Sequence, residues 1–189
     1  MPLREEHVRL TQTAKRAAGI LKDAGLPFLL AGGLASWARG GPQTDHDVDF
    51  FVKPDDADAA LQALANAGLE TEKPPERWLY KAYDEDGTLI DLIFKPSGGP
   101  VGDEHFGHAD ELEVMGVEMQ VASLADVMTT KLLALSEQEP DFTSVLEISR
   151  MLREQINWDF VRERTQDSPF AKAFFTLVEE LGIVERAAA

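Results

Sequence analysis

The pattern of hydrophobic and polar positions changes period along the chain and predicts a mixed α/β region at its start. Apolar residues recur every three to four positions over 4–24, which predicts an amphipathic helix that ends at Gly25. The apolar run 27–30 predicts a short buried strand, and the residues from 33 to 40 predict a short helix. Alternating polar and apolar residues predict a second strand over about 46–52.

The middle of the chain predicts one helix and two β-hairpins. Asp55 is in a position to cap a helix that runs to Ala67. An Asp-Gly pair and a Met-Gly pair mark the two hairpin turns, and the prolines and glycines of 95–102 predict a loop, which we extend through the histidines at 105 and 108. The predicted hairpin strands cover 78–83, 88–94, 111–114 and 117–121.

The chain beyond the second hairpin predicts only helices. Ser123 and Asp126 fit a capping box that opens a helix to about Ser136. Further helices are predicted to begin at Asp141, Asn157 and Ser168. We therefore expect an α+β fold, in which a mixed β-sheet with flanking helices (1–122) carries a C-terminal helical region (123–189) packed on it.

Composition agrees with a globular protein and limits its chemistry. The chain has 189 residues, of which 44% are hydrophobic, enough for one substantial core. It has no cysteine, so disulfides and thiolate sites are excluded, and it has no apolar run long enough to cross a membrane. We expect a cytoplasmic protein without membrane contact. The three tryptophans are expected in the core.

The charge is strongly negative and unevenly distributed. The net charge is −16, yet residues 1–53 hold 7 Lys and Arg against 6 Asp and Glu, whereas the rest of the chain holds 11 against 28. An acidic surface repels nucleic acid at long range, while a small nucleotide screened by Mg²⁺ is repelled less. Many of these acidic residues would serve equally well as a solubilising surface.

The residues between the first two predicted strands point to phosphate and metal chemistry. Gly32 and Gly33 lie between a strand and a helix, where backbone N–H groups suit a phosphate, and Ser36 in the first helical turn is placed to contact it. Asp47 and Asp49 are one residue apart on a strand, which puts both carboxylates on one face. Two carboxylates beside a phosphate cradle suit Mg²⁺ and predict an enzyme that acts on a nucleoside triphosphate. An exposed acidic strand is the alternative.

Asp91 is a third acidic residue of interest, because it is the only charge in an apolar predicted strand. A buried carboxylate needs a partner. One interpretation pairs it with Lys81 across the hairpin. The other places it beside Asp47 and Asp49, as a third metal ligand or as a general base.

Two residues of the helical region are less informative by spacing alone. Lys131 lies in the helix that follows Ser123, where a lysine often extends along an apolar face to solvent. Asp141 lies at a predicted helix start, where capping is the ordinary role.

These residues together resemble a known family. The stretch from Gly32 through Thr44 to Asp49 resembles the Gly-Gly/Ser and Asp-x-Asp signature of the DNA polymerase beta-type nucleotidyltransferase superfamily. The later stretch 126–135, followed by Asp141, is similar to the second conserved block of its AbiEii/MenT group, the toxins of type IV toxin–antitoxin systems. The resemblance covers roughly 28–52 and 123–150.

The resemblance implies a nucleotidyltransferase-like mixed sheet and Mg²⁺-dependent transfer of a nucleoside monophosphate from an NTP to an acceptor hydroxyl, with release of pyrophosphate. It implies that Lys131 contacts the nucleotide and that Asp141 assists catalysis. For the toxin-type group it further implies tRNA or another RNA as acceptor and an antitoxin protein as partner.

The chain departs from the family pattern in two places, and both remove positive charge near a triphosphate. Gln43 stands where relatives usually carry a basic residue, and the segment 137–141 lacks an Arg-Asp pair. The alternatives are therefore a non-catalytic nucleotide- or partner-binding module on the same fold, or transfer to a small molecule or a protein side chain.

Overall fold

The computed structural model describes residues 4–185 and forms one seven-stranded sheet with helices around it. The strands are β1 (Leu29–Leu30), β2 (Val48–Phe51), β3 (Glu70–Glu72), β4 (Leu79–Tyr83), β5 (Leu89–Ile93), β6 (Asp110–Val114) and β7 (Val117–Val121). The helices are α1 (Glu5–Asp23), α2 (Gly32–Trp37), α3 (Ala57–Asn66), α4 (Asp103–Gly107), α5 (Leu124–Ala134), α6 (Thr143–Leu152), α7 (Trp158–Thr165) and α8 (Pro169–Glu180). The predicted α+β class is confirmed.

The sheet is mixed, and its central pairings bring distant segments together. Its strand order is β3-β4-β5-β2-β1-β7-β6. Strand β2 runs antiparallel to β1 and parallel to β5, and β1 runs parallel to β7. In the β2–β5 register, Asp49 lies opposite Asp91 and Phe51 lies opposite Ile93. Because side chains alternate along a strand, these four residues lie on one face of the sheet.

Two clusters of buried apolar side chains stabilise the fold. The first joins α1, α3 and the sheet, and includes Leu21, Phe50 and Ile90. The second lies within the C-terminal helices and includes Met128 and Phe174. Helix α5 contributes to both clusters, and its packing thereby fixes the helical region against the sheet.

The start of α1 is attached to the loop that precedes β2. His7 is fully buried there, and its Nδ1 donates a hydrogen bond to the Thr44 carbonyl oxygen at 2.7 Å. Its ring also packs edge-on against Trp37, with 4.5 Å between the ring centroids. The first turn of α1 is therefore tied to the segment that leads into Asp47.

Several element boundaries follow from the residues that begin each helix. Ser123, Asn157 and Ser168 accept hydrogen bonds from backbone N–H groups of the turns that they open, as predicted. The prediction for Asp55 was wrong: a 3₁₀ turn over Pro54–Asp56 precedes α3, and no side chain caps that helix.

One strand and one α-helix were not predicted from the sequence. Strand β3 is polar and lies at the sheet edge, and α4 forms within a stretch predicted as loop, where His105 Nδ1 accepts a hydrogen bond from Gly102 N. None of the described helices is both long and apolar enough to span a bilayer.

Candidate active site

Two cavities meet at Asp49 and Lys131, which line both of them. The larger cavity has a volume of about 870 Å³ and the smaller one about 290 Å³. The larger is lined by mostly apolar surface together with charged groups at Glu76, Arg77, Lys95 and Glu139. The smaller is lined by polar residues, among them Arg4, Gly33, Ser36, Thr44, Asp47 and Ser144. Asp49 and Lys131 therefore lie at the junction of two cavities of different chemistry.

Three carboxylates converge at this junction. Asp47 immediately precedes β2, Asp49 lies within it, and the parallel register places Asp91 of β5 beside Asp49. Each carboxylate offers an oxygen, and these three oxygens lie within 4.8 Å of one another. The structure therefore brings together the three residues that the sequence analysis selected as metal ligands.

Burial, more than the proximity of the carboxylates, raises the pKa values of Asp49 and Asp91. Burial, and then the charge of Asp47, raise the pKa of Asp49 to about 7, while the charge of Lys131 opposes the shift. Burial also raises the pKa of Asp91, although its hydrogen bond with Lys81 opposes the shift. Like charges that repel one another at short range favour the binding of a cation.

Asp91 both pairs with Lys81 and lies beside Asp47 and Asp49, so the two interpretations of this residue are compatible. Its Oδ1 accepts a hydrogen bond from Lys81 Nζ at 3.0 Å, so the ion pair across the hairpin is present. That contact is compatible with membership of the acidic cluster, since a carboxylate has several acceptor positions. It fixes the orientation of Asp91 and partly balances its charge.

The two glycines adjoin this cluster in different ways. A Cβ at Gly32 would lie 1.7 Å from Asp49 Oδ2, and the residue has a φ of +57°. A Cβ at Gly33 would lie 2.8 Å from Thr44 Oγ1. Ser36 is fully buried, and its Oγ donates to the Gly32 carbonyl oxygen at 3.4 Å. Gly32 thus lets the Asp49 side chain on β2 approach the backbone, whereas Gly33 and Ser36 line the smaller cavity.

The structure separates the two residues of the helical region. Lys131, in the last turn of α5, lines both cavities, and its charge acts on Asp49. Asp141 is exposed, lines neither cavity and accepts a hydrogen bond from Thr143 N at 2.8 Å. Asp141 therefore stabilises the start of α6 and does not join the other predicted site residues.

Sequence reasoning missed two residues of the cavities. Trp78 was expected in the core but is 40% exposed and lines the larger cavity. Its neighbour Arg77 has a φ of +54°, an uncommon conformation for a side chain of this size. Arg4, far away in sequence, lines the smaller cavity and bonds to Gln43 and Asp45. An exposed tryptophan and a long-range contact leave no local signal in the chain.

The acidic cluster has the ligand chemistry of a site for a hard divalent cation. Three carboxylates supply oxygen atoms only, and cations such as Mg²⁺ take oxygen ligands from side chains and from phosphate together. Burial, and then the charge of Asp47, raise the pKa of Asp49, and a bound cation would favour the ionised carboxylate against both effects. Asp47, Asp49 and Asp91 therefore fit a Mg²⁺ site.

Asp49→Asn is expected to stabilise the protein in the absence of metal. A carboxyl whose pKa rises from 3.8 to about 7 on folding destabilises the native state increasingly as the pH rises between these values. The variant should gain on the order of 1 kcal/mol, roughly 2–4 °C in Tm, at pH 8 with chelator present, and less at pH 5. Thermal unfolding at both pH values measures this gain.

The control for this stability measurement is Asp58→Asn. A hydrogen bond from Lys73 lowers the pKa of the exposed Asp58, so this substitution should give no gain at either pH. Saturating Mg²⁺ should raise the Tm of the unmodified protein by more than it raises the Tm of the Asp49→Asn variant. An equal Tm of the two proteins at pH 8 without metal would contradict the electrostatic description of the cluster.

Comparisons with known proteins identify the fold. No protein-family model matches the sequence, and no curated protein matches it. Among solved structures, ANT(2″)-Ia in complex with adenylyl-2″-tobramycin is similar with a TM-score of 0.63 at 12% identity, over 87% of this chain and 98% of that one. LnuA, a lincosamide antibiotic adenylyltransferase with lincomycin bound, gives 0.51 at 15% identity, over 78% and 96%.

A third similar structure is JHP933 from Helicobacter pylori, with a TM-score of 0.54 at 19% identity over 99% of this chain and 84% of that one. These similarities are structural and establish that the chain has a nucleotidyltransferase-like fold. The resemblance to the nucleotidyltransferase superfamily is thereby supported at the level of the fold. The narrower resemblance to the AbiEii/MenT group stays a prediction.

Proposed function

We propose that this protein is a Mg²⁺-dependent nucleotidyltransferase that moves a nucleoside monophosphate from an NTP to a hydroxyl group of a small organic molecule. The observation that carries the proposal is the convergence of Asp47, Asp49 and Asp91 at the junction of two cavities of different chemistry. The nucleotidyltransferase-like fold supports it independently.

The smaller cavity suits the phosphates of the nucleotide. Its walls hold Gly33, Thr44 and Ser144, and backbone N–H and hydroxyl groups of this kind donate hydrogen bonds to phosphate oxygens. Lys131 lies at the junction, where it would compensate negative charge on the α-phosphate and on the bridging oxygen that leaves with pyrophosphate. We therefore place the α-phosphate at the junction and the pyrophosphate portion in the smaller cavity.

Asp47 and Asp49, together with Asp91, would hold Mg²⁺, which when bound supplies charge neutralisation to the phosphates. The acceptor oxygen would attack the α-phosphorus, the bond to the bridging oxygen would break and pyrophosphate would leave. Asp91 would receive the proton of the acceptor hydroxyl, because its raised pKa improves it as a base. We assign no chemical step to Asp141, which is exposed, accepts a hydrogen bond from Thr143 N and, unlike Asp91, does not belong to the acidic cluster.

The larger cavity suits a small acceptor molecule. Its volume of about 870 Å³ falls in the usual range for small-molecule sites. Phe51, Trp78 and Ile93 give it an apolar surface, and its three acidic and three basic residues balance one another. A net charge of −16 opposes the binding of a long polyanion. These features favour a hydroxylated molecule with an apolar face over RNA.

The experiment that tests the function measures pyrophosphate release from each of the four NTPs with Mg²⁺. The acceptors are tobramycin, whose adenylyl derivative is bound in one similar structure, lincomycin, which is bound in another, a set of other small polyols, and total bacterial tRNA. Asp49→Asn serves as the blank. Release that needs both a small acceptor and Asp49 supports the proposal.

Other results of that assay identify the alternatives. Pyrophosphate release that requires tRNA would identify RNA and not a small molecule as the acceptor, as the toxin-type resemblance implies. That result would also justify a search for an antitoxin partner. Nucleotide binding without release under any condition would indicate a non-catalytic binding module. The absence of both nucleotide binding and pyrophosphate release would overturn the proposed function.

Trp78→Ala is expected to weaken acceptor binding selectively. Loss of an aromatic surface should raise the KM for the acceptor about tenfold and leave the KM for the NTP unchanged. Steady-state kinetics with each substrate varied in turn measures both values. Leu181→Ala, which removes another exposed apolar side chain that lines neither cavity, should change neither KM. An equal rise in both KM values would contradict the assignment of the larger cavity.

A further inference from the structure

Arg4 occupies an unusual place for a residue so early in the chain. It immediately precedes α1, and its carbonyl oxygen accepts the hydrogen bond of Val8 N at 3.0 Å. Its side chain reaches the loop before β2 and lines the smaller cavity together with Gly33, Ser36 and Thr44. Among the residues of 4–185 that line this cavity, Arg4 and Lys131 are the two with a permanent positive charge.

Three hydrogen bonds hold Arg4 in this position. Nη1 donates to Asp45 Oδ2 at 2.7 Å, and Nη2 donates to the Gln43 carbonyl oxygen at 3.0 Å. The backbone N–H of Arg4 donates to Gln43 Oε1 at 3.0 Å. The nearby contact of His7 with Thr44 fixes the same helix end to the same loop. The guanidinium is therefore oriented before any ligand binds.

The orientation leaves capacity for a ligand. A guanidinium has five N–H donors, and the two side-chain bonds use one donor on each of two nitrogens. The side chain is 44% exposed despite its ion pair with Asp45. Arginine binds phosphate oxygens through two parallel hydrogen bonds, an arrangement that a planar fork fits well.

We propose that Arg4 binds the terminal phosphates of the nucleotide. This inference rests on the proposed function, in which the α-phosphate lies at the junction beside Asp49. Arg4 lines the smaller cavity and not the larger one, so it lies on the side away from the acceptor. A triphosphate that extends from the junction into the smaller cavity then places its β- and γ-phosphates toward Arg4. Gln43 stands where relatives usually carry a basic residue. Here its side-chain and backbone oxygens accept hydrogen bonds from Arg4, which supplies the positive charge instead.

The test is the binding of inorganic tripolyphosphate, and of each NTP and NMP, to the full chain in the presence of Mg²⁺. Calorimetry compares the unmodified protein with Arg4→Gln, which keeps a long polar side chain and removes the charge. We expect Arg4→Gln to lose about 10- to 100-fold in affinity for tripolyphosphate and NTP. NMP affinity should change less than about twofold, a selectivity that a merely structural role would not produce.

Two further variants control the measurement. Arg16→Ala removes an arginine within α1 that pairs with Glu85 and lines neither cavity, and this variant should retain NTP affinity. Arg4→Lys keeps the charge without the planar fork and should lie between the unmodified protein and Arg4→Gln. It also keeps the test decisive if Arg4→Gln fails to fold.

The outcomes separate this inference from the proposed function. Unchanged triphosphate affinity in folded Arg4→Gln would overturn the role of Arg4 and leave the transferase proposal intact. Loss of affinity for NTP and NMP alike would also overturn it, since that result indicates a general disturbance. Tripolyphosphate binding that depends on Arg4 would support it even if no acceptor supports transfer. An unmodified protein that binds neither tripolyphosphate nor NTP would overturn both.

Discussion

Asp49→Asn and Asp47→Asn are each expected to reduce nucleotidyl transfer by at least about a thousand-fold, or about 4 kcal/mol of transition-state stabilisation. Each substitution removes one of the three carboxylates that lie within 4.8 Å of one another. An amide oxygen is a weaker ligand for a hard cation than a carboxylate, and it carries no charge to balance the metal. Pyrophosphate release at saturating NTP and acceptor measures the loss.

The matched control is Asp141→Asn, because the resemblance assigns Asp141 a catalytic part and the geometry does not. Asp141 lines neither cavity and bonds to Thr143 N. Its replacement should leave the transfer rate within about threefold and lower stability slightly, since a helix-start contact is weakened. A thousand-fold loss in Asp141→Asn, or normal turnover in either cluster variant, would contradict our assignment of the site.

Gly32→Ala is expected to abolish activity almost as completely, although alanine removes no functional group. A Cβ there would lie 1.7 Å from Asp49 Oδ2, so either the carboxylate or the backbone must shift. The φ of +57° adds strain of about 1–2 kcal/mol for a residue with a Cβ. We expect a loss of at least about a hundred-fold in transfer, a weaker dependence on Mg²⁺ and a lowered Tm.

Gly25→Ala separates the steric effect from the backbone strain. Gly25 has a similar φ of +68° at the end of α1, but an added Cβ there would meet nothing within 4 Å. The variant should lose stability by a similar strain of about 1–2 kcal/mol and retain activity. Equal activities of Gly32→Ala and Gly25→Ala would show that the contact with Asp49 does not matter for catalysis.

The sequence predicts those parts of the fold that depend on local periodicity. The helix of 5–23 and the hairpin strands of β6 and β7 appear within a few residues of their predicted bounds. Strand β3 was missed because Glu70 and Glu72 give it no apolar face, and its backbone pairing with β4 alone defines it. Strand β1 is shorter than predicted and contains only Leu29 and Leu30. Both residues pair with β2, and Leu30 also pairs with β7, so its length depends on pairing with other strands and not on its own apolar pattern.

The candidate site likewise has a local part, which the sequence predicts, and a part that depends on long-range contacts, which it does not. The Asp47–Asp49 pair is local, so alternation along one strand is enough to predict a shared face. The position of Asp91 depends on the parallel register of β2 and β5, which no periodicity specifies, and the sequence could only leave two partners open. Arg4 lies about forty residues before the loop that it contacts, beyond the reach of any local pattern.

The attachment of the α1 start has a practical consequence for handling the protein. Arg4 and His7 hold this helix end against the loop that lines the smaller cavity, so any group attached at Arg4 starts beside that cavity. An oligohistidine affinity tag fused there would bring imidazoles that bind divalent metals close to the three aspartates. Leu181, which directly follows α8, is exposed and lines neither cavity, so an attachment point just after α8 is better suited to purification and immobilisation.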